Sequence, residues 1–477
     1  MAKKEIGGHY AHMNSVVSTI GLPGKGYRKI KIVHMGAGSG FAHSLSKDFM
    51  QMPDMPGGEI ALVDIDAKRL DIMFHLIKAL CQKFGKEKEW KITAYTDRRK
   101  ALPGADYIVN SIEVSGVKCV RFDNDIPLQY GVSQCIGDTI GPGGLMKALR
   151  TVPVWMDILH DAEELCPNAL VLNYTNPMNI MTLATLRYSK MKCVGLCHSV
   201  QGTSKLLAKR AGIPYEEMEW ECAGINHLAW FTKLKHHGKD LYPLLIKKAI
   251  RDLKAGTNVD KDDNPDLVRK DMMVHFGAFI TESSGHLSEY ISLYRTSKKH
   301  RDEYCRPGYD GEEGFYADGY PKWRRDADKI RTEMYTGKRE LGGARGHEYA
   351  SWIVEAIEKN SPFRMYGNVL NTSLDGAGPL ISNLPHDGCV EVACLIDRNG
   401  VQPLRYGALP TPMAAICAAD MNMFEQAAQA AVNRSIEQAI QALYLDPLTS
   451  AVCTPKEIRE MFLKLYKAEK KFLPNFK

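Results

Sequence analysis

Cys197 and His198 stand side by side in VGLCHSVQG, and His227 follows thirty residues after the cysteine in ECAGINHLAW. A thiolate and an imidazole bind divalent transition ions, and two protein ligands leave coordination positions open. Open positions are what a Lewis acid needs to polarise a hydroxyl or carbonyl. The same residues also suit a plainer role, with Cys197 a small buried hydrophobe and each histidine a satisfied core residue. Structural zinc is a third option, since Cys193 and Cys197 are spaced C-x3-C with Cys222 nearby. Against it, Cys193 lies inside an apolar strand, and no second closely spaced Cys/His pair completes a tetrahedral site. Asp138, in CIGDTIGPGG, precedes a glycine-rich turn and a helix, where an aspartate serves either the turn or a ligand. Arg150 ends the MKALR run and suits a surface cation or an anchor for substrate hydroxyls. In TESSGHLSEY, residues 281–290, helical spacing sets Glu282, His286, Glu289 and Tyr290 on one face that can carry a general base. Ser283, Ser284 and Gly285 are poor helix formers, so a solvated polar turn competes.

A scaffold able to gather these residues is legible around them. The run RKIKIVHMGAGSGF is a β-rich strand that breaks into Gly36, Gly38 and Gly40, with Ser39 between, and AHSLSKDFM can start a helix. A second apolar strand, EIALVDID, ends in Asp64 and Asp66, the first of them 24 residues after Gly40. Strand, glycine turn, helix, strand, acid is the order of a dinucleotide-binding βαβ unit. Glycines let the backbone approach a pyrophosphate at the helix N-terminus, where N–H groups and the dipole favour anions. Phe41 stands where the third glycine of G-x-G-x-x-G belongs.

ADYIVNSIEVSG, ALVLNYTNP and KCVGLCHS each read as an apolar strand ending in small or polar residues. In open α/β sheets that edge is where ligands bind, so Asn176 and Cys197 are predicted to meet in one crevice. GGLMKALRTVPVWMDILHDAEELCP reads as the crossover helix between strands. The texture changes near residue 205, which sets the expected division: an N-terminal extension over 1–29, a dinucleotide-binding domain over 30–205, and a substrate- and metal-binding domain over 206–477. The last of these holds a charged, Tyr-rich stretch from 295 to 345 and one long amphipathic helix over MAAICAADMNMFEQAAQAAVNRSIEQAIQALYL.

Bulk composition narrows the setting. A chain of 477 residues exceeds what one core usually organises. A formal charge of +6, with no basic stripe, argues against nucleic acid. No apolar run reaches the roughly 18 residues of a membrane span, and no export signal opens the chain. The 12 scattered cysteines then fit a reducing cytoplasm.

Taken in order between residues 36 and 227, GAGS, ALVDID, DTIGPGG, LNYTNP, GLCHSV and AGINH resemble glycoside hydrolase family 4, the NAD- and metal-dependent glycosidases. The likeness extends through TESSGHLSEY, YGNV and VEVACL. It implies an α/β fold: a Rossmann-like N-terminal domain on a mostly parallel sheet, joined to a mixed α+β catalytic domain of lactate/malate dehydrogenase-like architecture. It also implies hydrolysis by a redox detour, an exception to two-carboxylate glycosidases. NAD+ takes a hydride from C3 of the sugar, which acidifies the C2 proton. The leaving group departs by elimination, water adds, and the hydride returns.

Residue by residue, the resemblance assigns Cys197 and His227 to a metal, usually Mn2+, and His198 to the proton donor for the leaving group. It assigns Asn176 to substrate and Asp138 to the metal and sugar hydroxyls. Gly36, Gly38 and Asp64, with Ser39 and Asp66 beside them, go to the cofactor. For the C2 base, relatives use a tyrosine or an aspartate; Ser283 stands at the aspartate position, leaving Tyr290 and Glu282 as candidates. Arg150 is carried as a substrate anchor. CHSV resembles the α-galactosidase branch, with an α-glucoside or galacturonide as alternatives, and the family implies a homodimer or homotetramer. Two rivals stay open: a simple NAD-dependent dehydrogenase, and a non-catalytic NAD-sensing or scaffold protein.

Overall fold

The computed structural model describes residues 21–261 and 263–477, so most of the expected N-terminal extension lies outside the described residues. Six strands form a parallel sheet in the order β3-β2-β1-β4-β5-β6: β1 (Ile30–Met35), β2 (Gly58–Val63), β3 (Trp90–Tyr95), β4 (Tyr107–Asn110), β5 (Leu170–Asn173) and β6 (Lys192–Gly195). This is the strand order of a dinucleotide-binding doubly wound fold. β4 and β5 are buried at every residue, because helices cover both faces of a parallel sheet and leave no face to water. Among those helices are α1 (Gly40–Met50), α2 (Ala67–Lys83), α3 (Gly141–Leu165) and α4 (Ser199–Ala211). Of these, α3 is the crossover helix read from the sequence.

The sheet does not stop at β6. Residue 205 lies inside α4, and the chain re-enters the same sheet as β7 (Met218–Ile225), β8 (Leu228–His236), β9 (Lys239–Asp240), β10 (Phe279–Ile280), β11 (Phe363–Leu370), β12 (Cys389–Asp397) and β13 (Gly400–Pro403). β11 lies antiparallel beside β6 and β12 beside β11, and β12 then bridges to the β7–β8 hairpin. Two single-residue pairings make the joints: Asn368 opposite Gly195, and Glu391 opposite Gly224. One continuous core, from Ile32 through Trp230 to Phe462, fills both sides of the sheet.

One open reading is decided and one expectation is corrected. TESSGHLSEY is no solvated turn: α5 (Ser284–Tyr290) is buried throughout. Ser283 caps it by accepting from His286 N at 3.3 Å, which offsets poor helix propensity. Gly285 is required there, since a Cβ would stand 2.5 Å from the Tyr309 carbonyl oxygen. The long C-terminal helix is two. After α6 (Phe315–Tyr335), which orders the Tyr-rich stretch, come α7 (Thr411–Asn433) and α8 (Ile436–Leu445). Arg434 takes a left-handed φ of +54° between the last two, and Ser435 caps α8 through Gln438 N.

Candidate active site

An open cleft of about 810 Å³ lies at the C-terminal ends of the parallel strands. That volume lies within the roughly 300–1,000 Å³ usual for ligand sites. At one end, Ser39, Gly40 and Ser44 of the glycine-rich turn line it; at the other stand Asp138, Asn176, Cys197, His198, His227 and Glu282.

Each side chain has a local reason for its position. Cys197 follows the end of β6. Asn226 and His227 are the two-residue loop of the β7–β8 hairpin, where Ile225 pairs with Leu228. His227 sits in the left-handed region at φ +64°, as does Glu282 at φ +70°. Such backbone conformations cost energy for residues with a Cβ and cluster at functional sites. Thr281 pins the segment before Glu282: its amide donates to Ala229 O at 2.9 Å and its hydroxyl accepts from Ala229 N at 3.1 Å. One donor atom each from Cys197, His227 and Glu282 thereby fall within 4.8 Å of one another. His286, one helical turn from Glu282, adds a second imidazole with ring centroids 4.4 Å from His227.

Asp138 is held from three sides. Lys147 Nζ is 3.0 Å away, the Thr139 hydroxyl donates at 2.7 Å, and Asn176 Nδ2 donates at 3.5 Å. Burial raises its carboxyl, but Lys147 and His286, with those hydrogen bonds, outweigh burial and hold it well below the usual range. Lys147 is raised in turn: burial opposes its charge, and Asp138 and Glu113 more than compensate. The loop carrying Asp138 hangs on Glu289, which accepts from the amides of Cys135, Ile136 (2.7 Å) and Gly137 (3.2 Å). Across the cleft, His198 Nδ1 stands 3.6 Å from Glu348 Oε1.

Three expected site residues lie elsewhere. Arg150 is buried on α3, paired in bidentate fashion with Asp123 at 3.0 and 2.8 Å and bonded to Glu469. Three residues along a helix is about 4.5 Å, enough to carry it past the cleft that Lys147 reaches. Tyr290 is fully buried behind His227, against Phe424, and its hydroxyl has no partner. Asp66 is exposed and caps α2 by accepting from Lys68 N and Arg69 N. Asp64 accepts from Gly38 N at 2.7 Å and Asp66 N at 2.8 Å, bracing the turn. Gly36 forms that turn at φ +77°, and a Cβ there would stand 2.7 Å from Ser111 O. Ser39 makes no capping bond; its hydroxyl meets that of Ser111 at 2.8 Å.

The match to known proteins follows this geometry. Residues 31–213 match the model of the family 4 glycosyl hydrolases, and residues 222–449 match that of the family 4 glycosyl hydrolase C-terminal domain. The chain belongs to the family 4 glycosyl hydrolases. An α-galactosidase of Bacillus subtilis is 39% identical to this family 4 hydrolase over 94% of the chain and 100% of its own length. One of Rhizobium meliloti is 34% identical over 94% of the chain and 89% of its own length. The solved 6-phospho-α-glucosidase from gut microorganisms in complex with NAD and Mn2+ shares the fold at a TM-score of 0.75 and 23% identity. It covers 94% of this chain and 100% of its own.

The family 4 donor set fits a divalent ion by its own chemistry. Burial lowers His227 to about 4, so its imidazole is neutral and able to ligate near pH 7, and its buried Nδ1 lacks a partner. Burial, then Glu282 and Glu391, push the Cys197 thiol up. That is an electronegative corner that a dication relieves. Cys193 and Cys222 stay in the buried interior of β6 and β7, outside the cluster. Sequence reasoning missed Lys147, Glu113, Glu348 and Glu391. Only Glu391 left a trace, a lone acid in the apolar strand CVEVACLID. Burial pushes it up to about 8, with Asn368 Nδ2 at 3.4 Å.

Proposed function

We propose that this family 4 hydrolase is an α-galactosidase that works with NAD+ and a divalent ion, Mn2+ first among candidates. The convergence of Cys197, His227 and Glu282 in one cleft with Ser39 and Gly40 of the glycine-rich turn carries this reading, because direct displacement needs neither a thiol–imidazole pair nor a dinucleotide turn. Likeness to two α-galactosidases supports the sugar. So does charge: Lys147, the cation next to Asp138, is answered by Asp138 and Glu113 and so is not free for a uronate or a phosphate.

The glycine-rich turn would hold NAD+, which would supply a reversible acceptor for the C3 hydride, and Cys197 and His227 would hold a divalent ion that would supply a Lewis acid for the sugar oxygens. Asp138, kept ionised by Lys147, orients sugar hydroxyls together with Asn176. Glu282 accepts the acidified C2 proton. His198, steadied by Glu348, gives its proton to the glycosidic oxygen, and the C1–O bond breaks by elimination. Water adds at C1 and gives its proton to His198, and Glu282, after its proton exchanges with solvent, reprotonates C2. We place the enzyme in the cytoplasm as a homodimer or homotetramer; none of its twelve cysteines is paired, and no helix among the described residues is long and apolar enough to cross a membrane.

Cleavage of an aryl α-galactoside, with and without NAD+, Mn2+ and reductant, tests the proposal. In D2O the released sugar should carry deuterium at C2 with no net NADH. Full-rate cleavage without dinucleotide, or an unlabelled C2, would overturn it. Accumulating NADH would favour a dehydrogenase.

A further inference from the structure

Helix α6 brings arginines from the C-terminal half of the chain onto the glycine-rich turn. Arg324 lines the same cleft as Ser39, Gly40 and Ser44, and its buried Nε has no hydrogen-bond partner. Arg331, seven residues on and so on the same helical face, is buried, and its Nη2 lies 3.1 Å from where a Cβ on Gly40 would stand. Arg69 of α2 joins them from below. One carboxylate is shared by two of the three: Asp328 bonds Arg69 at 2.7 Å and Arg331 at 3.0 Å, while Asp66 approaches Arg69 only to 3.9 Å. Burial lowers Arg331, and Arg324 and Arg69 lower it further against Asp328. Positive charge is thus in excess beside the N-terminus of α1, an end that already favours anions.

We propose that Arg324 and Arg331 clamp the diphosphate of the dinucleotide onto the N-terminus of α1. This rests on the reading of the cleft as the NAD+ site. Guanidinium forks match phosphate oxygens in geometry as well as charge. The clamp has a purpose in this reaction: the hydride leaves and returns within one turnover, so the cofactor need not exchange. A grip on its charged middle slows release without touching the sugar end.

Equilibrium dialysis of the full-length chain with NAD+, ADP and adenosine tests the clamp. Arg324→Ala and Arg331→Gln should each weaken NAD+ and ADP at least about tenfold, the cost of one charge-assisted phosphate contact. They should also flatten the salt dependence of binding, with adenosine and Mn2+ affinities unchanged. Arg331→Lys should restore part of the loss. ADP binding at wild-type strength in Arg324→Ala, or an equal loss for adenosine, would overturn the clamp and leave the NAD+ site standing. Wild-type chain that binds no NAD+ would overturn both. Arg324 is only partly buried, so its variant remains informative if Arg331→Gln fails to fold.

Discussion

At the residue scale, the site is a contrast of charges tuned by burial. A soft thiol, a neutral imidazole and a carboxylate converge where we propose a divalent ion, and removing the thiol should unmake that set. Cys197→Ser is expected to lower Mn2+ affinity by 10- to 100-fold, in the range typical of a perturbed ligand shell, with activity falling in parallel. Metal titration followed by chelation checks it. Glu282→Gln separates two roles. As the C2 base, its loss should cut kcat by about 10²–10⁴ and enlarge the isotope effect on C2 deuteration while Mn2+ still binds. A loss of Mn2+ binding would instead make Glu282 a ligand. Arg150→Ala should cost about 3–5 kcal/mol of stability in urea, because it strands Asp123 and Glu469 without their buried partner. Its kinetics in the folded fraction should stay near wild type. Cys197, His198 and His227 were legible because thiol and imidazole types announce their chemistry. Arg150 was misread because its carboxylate partners lie far away in sequence, Glu469 on the last long helix. Glu348 was invisible for the same reason, its partner His198 lying 150 residues away.

At the element scale, the site is built from the ends of things: a strand end, a two-residue hairpin loop, a capped seven-residue helix. The βαβ unit and the crossover helix were readable from apolar periodicity and glycines, since local pattern and tertiary role agree there. The sequence left α5 open between a helix and a polar turn, because its stability comes from the Ser283 cap and a close approach to Tyr309 that only the fold supplies. Through Glu289 it also sets the position of Asp138. Glu289→Gln places an amide NH2 among backbone donors, so the loop should shift and kcat should fall about 10- to 100-fold, as for a misplacement near 1 Å. Mn2+ affinity should hold. Steady-state kinetics beside metal titration decides the matter, and an unchanged kcat would contradict the positioning role.

At the scale of the whole molecule, buried histidines make the fold sensitive to acid. His34 is lowered to about 3 by burial. His43 is lowered to about 4, by burial first and then by Arg331 and Lys47. Both stay neutral in the folded chain while the unfolded chain protonates near 6.5. The unfolded state therefore binds more protons below 6.5. Stability from these groups is complete above that pH and drains as pH falls toward 4, by about 1.4 kcal/mol per unit for each histidine. Urea unfolding at pH 7.5, 6 and 5 should show the decline, with a shallower slope in His34→Gln. A flat profile would contradict it.

The continuity of the sheet also bears on how a ribosome delivers this enzyme. Cys197 and His227 emerge early, but β11 and β12, which set the gap between their strands, are translated more than 130 residues later. A chain still tethered before residue 389 holds both ligands with no wall between them. The half built on the parallel strands can take shape during translation, while the corner of Cys197 and His227 waits for the final strands to slide into the middle of a sheet already under construction.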